Sequence, residues 1–450
     1  MTDIAAWIAE RGVAHVELIV PDMNGVPRGK VLPAAKFVED ARAGSLRLAS
    51  SALVVSATGA YAYAQSAGAD EWHRDRDVAL RPDAASLRLS PGGSGPAATV
   101  FADPHHLDGE PWPAASRQVL KTALDLFSQR GWRPVVAPEL EFYLCAANDD
   151  PALPLMPPKG VSGRADAAPQ PGSLDALVEF APVIEAICRD GAIAGLDLDV
   201  LSQESGTGQL EINLLHGDPI DLCDQVVLFK RIVRRAAIAQ GLHATFMAKP
   251  MAAQPGSAMH LHISVVGEDG VNLFADDDDG ADSVMFGQFI AGLQKYLPET
   301  TPLFAPNVNS FRRMRPGQSQ PANLEWGRDN RSCGLRAPIC DRRGRRIENR
   351  LPGADANPYL AITAALLAGY LGIEERLVRT KEAIGNAYLR PRTLPRTFEE
   401  GLDRFAACEP FRSLLGEPFF IAYMAIKEAE LAVFQAVVTP WEREHLLLRV

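Results

Sequence analysis

Between Val135 and Leu144 the sequence reads VVAPELEFYL, an apolar run that carries two glutamates, Glu139 and Glu141, two positions apart. In an extended strand the side chains alternate between faces, so both carboxylates point the same way, roughly 7 Å apart along the strand. Leu140, Phe142 and Leu144 supply the opposite, apolar face. Such a strand has two outcomes. It is an edge strand with hydrated glutamates, or it is buried and its mutually repelling acids are neutralised by protons or cations.

The same device recurs three times downstream. ESGTGQLEIN, from Glu204 to Asn213, bends at its glycines and then sets Gln209, Glu211 and Asn213 against Leu210, Ile212 and Leu214. SAMHLHIS, from Ser257 to Ser264, alternates His260 and His262 with apolar residues, and Arg346, Glu348 and Arg350 align in RIENRL. A lone ExE or HxH decides little. Four such segments, each burying one apolar face, need a shared charged cavity for the other. Glu139, Glu141, Glu204, Glu211 and Glu348 bring five negative charges to it. Divalent cations are the economical answer, and carboxylates with an imidazole suit Mg²⁺ or Mn²⁺ better than soft, thiolate-seeking metals. Ions of this kind serve phosphoryl transfer, which also needs positive charge around the moving group. Arg313, Arg331, Arg336, Arg343, Arg346 and Arg350 are available for it, whereas Arg342 and Arg345 read as a solvated basic face.

With 450 residues the chain has room for two domains, or one large domain with an appendage. Its net charge of −11 argues against nucleic acid as a partner. The six cysteines show no CxxC spacing, which fits reduced, packed thiols in a cytoplasm. No signal peptide is evident, and no run approaches the ~20 apolar residues of a membrane span. A short helix opens the chain. His15 to Leu32 forms a hairpin through Asn24-Gly25, and the breaker PGGSGP at 91–96 precedes a boundary near residue 105. Residues 1–105 therefore read as a small, mostly β domain and 106–450 as the catalytic domain of an α+β protein. Helices are expected at 114–130, 174–190, 217–240, 358–379, 397–407 and 418–438, and residues 148–173 as a surface excursion. The aspartates of 276–279 read as solvated.

PELEFYL, ESGTGQLEIN, GSAMHLHIS, NRSCGLRAP and RRIENRLPGADANPYL together resemble the successive motifs of the glutamine synthetase family, and the resemblance spans essentially the whole chain. It implies a β-grasp-like N-terminal domain, a catalytic domain with a curved antiparallel sheet, and a dodecamer of two hexameric rings. It also implies that Glu141, Glu204 and Glu211 hold one Mg²⁺ or Mn²⁺ and that Glu139, His260 and Glu348 hold a second. Arg313 and Arg350, with Gly256, match residues at the glutamate. Arg331, Arg336, Arg343 and Arg346 match those facing ATP phosphates, with His262 and Ser264 on the nucleotide side. The implied reaction passes through γ-glutamyl phosphate, with Arg313, Arg331 and Arg336 as the catalytic arginines.

The chain departs from the ammonium-using pattern. The flap after Arg313 carries Ser319 where a glutamate is expected, and Ala49-Ser50-Ser51 lacks the N-terminal acid. A small cation needs fixed negative charge to compete with its hydration, and its attack needs a base. Poor use of ammonium and use of a larger primary amine, such as putrescine or spermidine, are therefore expected, resembling the γ-glutamylpolyamine synthetase and γ-glutamylamide ligase branch. Ordinary glutamine synthetase activity, or an inactive scaffold or nitrogen sensor, are the alternatives. Pro255 replaces an expected asparagine. Tyr388 matches the adenylylated tyrosine of some relatives poorly, and Tyr61, Tyr63, Glu71 and Trp72 fall near a plausible amine pocket without a motif to assign them.

Overall fold

A computed structural model describes residues 4–61, 75–92, 95–165, 170–275, 282–315 and 320–450. Two sheets organise it. The N-terminal one contains β1 (His15–Pro21), β2 (Pro27–Pro33), β3 (Arg47–Ala49), β4 (Asp77–Pro82), β5 (Arg88–Ser90) and β6 (Ala97–His105), in the order β2-β1-β6-β4-β3 with β5 on β6. The expected β1–β2 hairpin is present. Its turn is held by Asp22, whose Oδ1 accepts from the backbone N–H of Asn24 at 2.8 Å and of Val26 at 2.9 Å, while Gly25 takes the positive φ of 75°.

The larger sheet contains β7 (Trp132–Ala146), β8 (Leu198–Gln203), β9 (Gln209–Leu214), β10 (Leu242–Thr245), β11 (Met259–Gly267), β12 (Trp326–Arg328), β13 (Leu335–Ala337) and β14 (Ile347–Asn349). Their order is β12-β13-β14-β11-β7-β9-β8, with β10 also on β7. All pairs are antiparallel except β12 with β13. β7 has β11 on one side and β9 on the other, so the edge-strand outcome for Glu139 and Glu141 is excluded. The α+β class expected from the sequence is the one observed.

Helices Ser116–Ser128 and Pro219–Ala239 pack on β7, and Pro358–Glu374 packs on both of them and on Val284–Tyr296. Leu140, Phe142 and Leu144 are fully buried against this layer, where the Phe142 ring meets Phe229 and Phe246 at centroid distances of 6.1 and 5.5 Å. Helices thus take the apolar face of the sheet, and the polar face is left for the site. Arg117 ties the layers together. It is buried and donates to Asp103 at 2.7 Å, to Asp83 at 2.6 Å, and to both oxygens of Asp224 at 3.1 and 3.0 Å. No helix of the described residues is long and apolar enough to cross a membrane.

Two expectations are corrected. The helix expected over 174–190 is two, Leu174–Val178 and Ala181–Ile193, broken beside Phe180. Pro182 lacks the N–H that would continue the ladder of the preceding helix, a loss that costs nothing in the first turn of a new one. Arg345 is no solvated charge: it is buried and pairs with Asp282 at 3.3 Å. Val284–Tyr296 is a further helix, apolar over most of its surface and so without a clear 3.6-residue pattern.

Candidate active site

Cross-strand register assembles the site. His260 on β11 and Asn213 on β9 flank Glu139, Glu211 lies opposite Glu141, and Glu348 on β14 lies between His262 and Arg336. Directly paired residues project from the same face, so four distant segments deliver their polar groups to one surface.

Two adjoining cavities occupy that surface. The larger, about 580 Å³, is lined by Glu139, Glu141, Glu204, Glu211, His260 and Glu348, together with Gly256, Arg331, Arg336 and Arg350. The smaller, about 270 Å³, is lined by His262, Ser264, Arg343 and Arg346 and again by Glu139. Glu139 and Asn213 belong to both walls. The residues that the sequence assigns to the nucleotide side therefore gather apart from the metal and glutamate positions, with the exceptions of Arg331 and Arg336. Both line the larger cavity, where Arg336 donates to Glu348 at 2.6 Å.

Potential ligand atoms of Glu139, His260 and Glu348 lie within 4.8 Å of one another, the set expected for one cation. For the other, Glu141 and Glu211 come together with His260, and Glu204 lines the same cavity outside that group. The residues fit a dication on two further grounds. The Nε2 of His260 is buried and has no hydrogen-bond partner among the described residues. Three of the carboxyls are also only partly offset by the arginines nearby. Burial and mutual repulsion push Glu211 up to about 9 and Glu141 up to about 7, and burial raises Glu204. Burial together with the Arg350 charge lowers His260 to about 4, leaving it neutral and able to act as a ligand. For Glu139 and Glu348 burial acts upward, but hydrogen bonds from His260 and His262 to the first, and the charges around the second, hold both below the ordinary value.

Further contacts order these groups. The Arg346 Nε donates to His262 Nδ1 at 3.1 Å, which places the imidazole proton on Nε2, facing Glu139 Oε1 at 2.7 Å. Arg350 also donates to Glu348. Arg313 is the expected site residue that lines neither cavity. Its buried guanidinium donates to the carbonyls of Leu351 and Arg350 at 2.6 and 3.0 Å and to Gln320 Oε1 at 2.7 Å, and its side chain packs behind Gly256. Tyr143, which the sequence reading passed over, donates its hydroxyl to Pro255 O at 2.9 Å and so supports the Gly256 loop from below. The same alternation that aligns Glu139 with Glu141 carries on to Tyr143. Gln209 lies on the polar face of β9, and the sequence alone assigns it no role. Tyr388 lines the larger cavity, whereas Tyr61 is exposed and is not among the described residues lining either one. Ser319, Tyr63, Glu71, Trp72 and the aspartates of 276–279 lie outside the described residues.

This fold and site have known counterparts. The profile of the glutamine synthetase catalytic domain matches residues 113–446, and the chain belongs to the glutamine synthetase family. Among its relatives are γ-glutamylputrescine synthetase of Escherichia coli, 35% identical over 96% of this chain and 91% of that protein, and γ-glutamylethanolamide synthetase of Streptomyces coelicolor, 32% identical over 98% and 94%. A solved structure of GmaS without ligand superposes with a TM-score of 0.85 at 29% identity, covering 99% of this chain and all of the other. Within the family, these similarities lie with the γ-glutamylamine ligase branch.

Proposed function

We propose that this protein is an ATP-dependent ligase that joins the γ-carboxylate of glutamate to a primary amine, an alkylamine or a polyamine such as putrescine or spermidine. The observation that carries this reading is the pair of cavities meeting at Glu139. A nucleotide held by His262, Ser264, Arg343 and Arg346 would direct its terminal phosphate across that wall, toward a glutamate held near Gly256 and Arg350. Mg²⁺ or Mn²⁺ held by Glu139, His260 and Glu348, and by Glu141, Glu204 and Glu211, would supply charge neutralisation for phosphoryl transfer.

The γ-carboxylate oxygen attacks the terminal phosphorus and ADP leaves, giving γ-glutamyl phosphate. The amine nitrogen then attacks the acyl carbon, loses a proton and expels phosphate. Arg331 and Arg336, at the same cavity, offset negative charge on the transferring group, and exclusion of water protects the acyl phosphate from hydrolysis. Arg313, set behind Gly256, acts in this reading by fixing the glutamate loop.

We also place a domain boundary near residue 105, the N-terminal sheet lying before it, and read the assembly as a cytoplasmic dodecamer. Supporting a homo-oligomer, the C-terminal segment exposes Phe434, Val437, Val438, Trp441, Leu447 and Leu448, apolar side chains of the kind that subunit contacts cover. The test of activity is phosphate release with glutamate, ATP and a panel of amines. Turnover with alkylamines and little with ammonium is expected. Full activity with ammonium and none with alkylamines would overturn the reading, as would the absence of turnover with every amine.

A further inference from the structure

Gln209 opens β9 on the same face as Glu211 and Asn213, opposite Tyr143 of β7, and is 1% exposed. Its carboxamide reaches three segments at once. The Nε2 donates to Glu141 Oε2 at 3.0 Å and to the Gly256 carbonyl at 3.1 Å, and lies 3.4 Å from Ser257 Oγ. The Oε1 accepts from the Gly206 N–H at 2.9 Å, in the bend between Glu204 and β9. A primary amide offers two donor hydrogens and one carbonyl, and this arrangement uses all of them. It also fixes the amide's orientation, since a flipped group would set its oxygen against a carboxylate and a carbonyl.

Glu141 receives a second hydrogen bond on the same oxygen, from the Ala258 N–H at 2.9 Å. Two donors therefore hold Oε2 and leave Oε1 for the group that Glu141 forms with Glu211 and His260. The other arm of the amide holds the loop that carries Gly256, against which Arg313 packs on the far side. We propose that Gln209 is a positioning residue that orients the Glu141 carboxylate toward its cation and the Gly256 loop toward glutamate, coupling the two subsites through one amide. This rests on the glutamate–amine ligase reading of the site. Methionine at 209 would keep the bulk but leave a buried carboxylate oxygen and a buried carbonyl short of a donor, and glutamate would replace the donor with a repelling charge.

The test compares wild type with Gln209→Met and Gln209→Glu. Free Mn²⁺ is titrated by electron paramagnetic resonance, and glutamate and ADP binding are followed by calorimetry, ADP without added metal. In Gln209→Met, Mn²⁺ binding should weaken about 10–100-fold, as when a group orienting a metal ligand is lost. Glutamate affinity should fall with it, ADP affinity should hold, and Gln209→Asn should recover part of both losses. A folded Gln209→Met that binds Mn²⁺ and glutamate like wild type overturns the proposal, and so does a loss confined to one of the two ligands. If the methionine variant does not fold, Gln209→Glu, equal in size, decides in its place. A wild type that binds Mn²⁺ but releases no phosphate with any amine sinks the ligase reading alone, and the Mn²⁺ comparison still decides the role of Gln209. A wild type that binds no Mn²⁺ overturns both.

Discussion

Glu139 Oε1 lies 2.7 Å from His262 Nε2, on the wall that the two cavities share. One carboxylate thus touches His262, on the side proposed for the nucleotide, and His260, on the side proposed for the cation, whose Nδ1 is 3.4 Å from its other oxygen. Glu139→Gln keeps the shape and removes the charge. Phosphate release should fall by at least about 100-fold, the scale of losing one electrostatic contact to a transferring group, and Mn²⁺ affinity by about 10-fold or more. Steady-state kinetics and Mn²⁺ titration measure the two effects.

Removal of metal should make stability fall as pH rises. Glu211 goes from an ordinary 4.5 to about 9, and Glu141 from 4.5 to about 7. A group with a raised folded pKa contributes fully below its unfolded value and loses that contribution as pH climbs through the folded one. The melting temperature of metal-free protein should therefore decline from about pH 5 to about pH 9. The decline should be shallower in Glu211→Gln, and added Mn²⁺ should stabilise more at pH 9 than at pH 6. Melts that are flat across this range and indifferent to Mn²⁺ would contradict it.

Gly256 is required by space. A Cβ there would meet Arg313 Cγ at 2.6 Å and the Ala248 carbonyl at 2.7 Å, the second a backbone atom that cannot swing aside. Gly256→Ala should displace the loop and raise the KM for glutamate about tenfold, the effect of roughly 1.4 kcal/mol, with the KM for ATP nearly unchanged. An equal rise in both would mean a general distortion.

Among the ion pairs that join the N-terminal sheet to the catalytic helices, burial separates those of Arg117 and Arg231. The Arg117 side chain is 2% exposed among Asp83, Asp103 and Asp224, so Arg117→Met leaves buried carboxylates without their cation and should cost about 3–5 kcal/mol. Arg231 pairs with Glu17 at 2.9 Å, with side chains 36% and 26% exposed, and Arg231→Ala should cost at most about 1 kcal/mol and less in high salt. Urea unfolding of the two variants gives the comparison.

Ser319→Glu should bring ammonium into use. A carboxylate at the flap would hold the small cation and accept a proton from it, and a charge-assisted hydrogen bond contributes about 1.5–3 kcal/mol, so kcat/KM for ammonium should rise about tenfold or more. An unchanged ammonium response would show that the flap does not set amine choice.

Much of this site could be read along the chain because strand alternation is local. The period of two puts Glu139 with Glu141, Glu211 with Asn213 and His260 with His262, and a run such as ELEFYL keeps its two faces whatever it packs against. Helix ends were less legible where an apolar stretch has no polar side, as in Val284–Tyr296, or where a proline interrupts, as at Pro182.

The tertiary structure decided what pairs with what. Nothing near Arg345 in sequence points to Asp282 as its partner, and nothing near Arg313 says that its guanidinium turns to the carbonyls of Arg350 and Leu351. The amide of Gln209 between Glu141 and Gly256 is likewise a product of register between strands. The sequence by itself determined which residues carry charge toward a common face, because that depends on neighbours one and two positions away. Which of those charges meet depended on contacts between segments tens to hundreds of residues apart, and only the packed sheet brings those together.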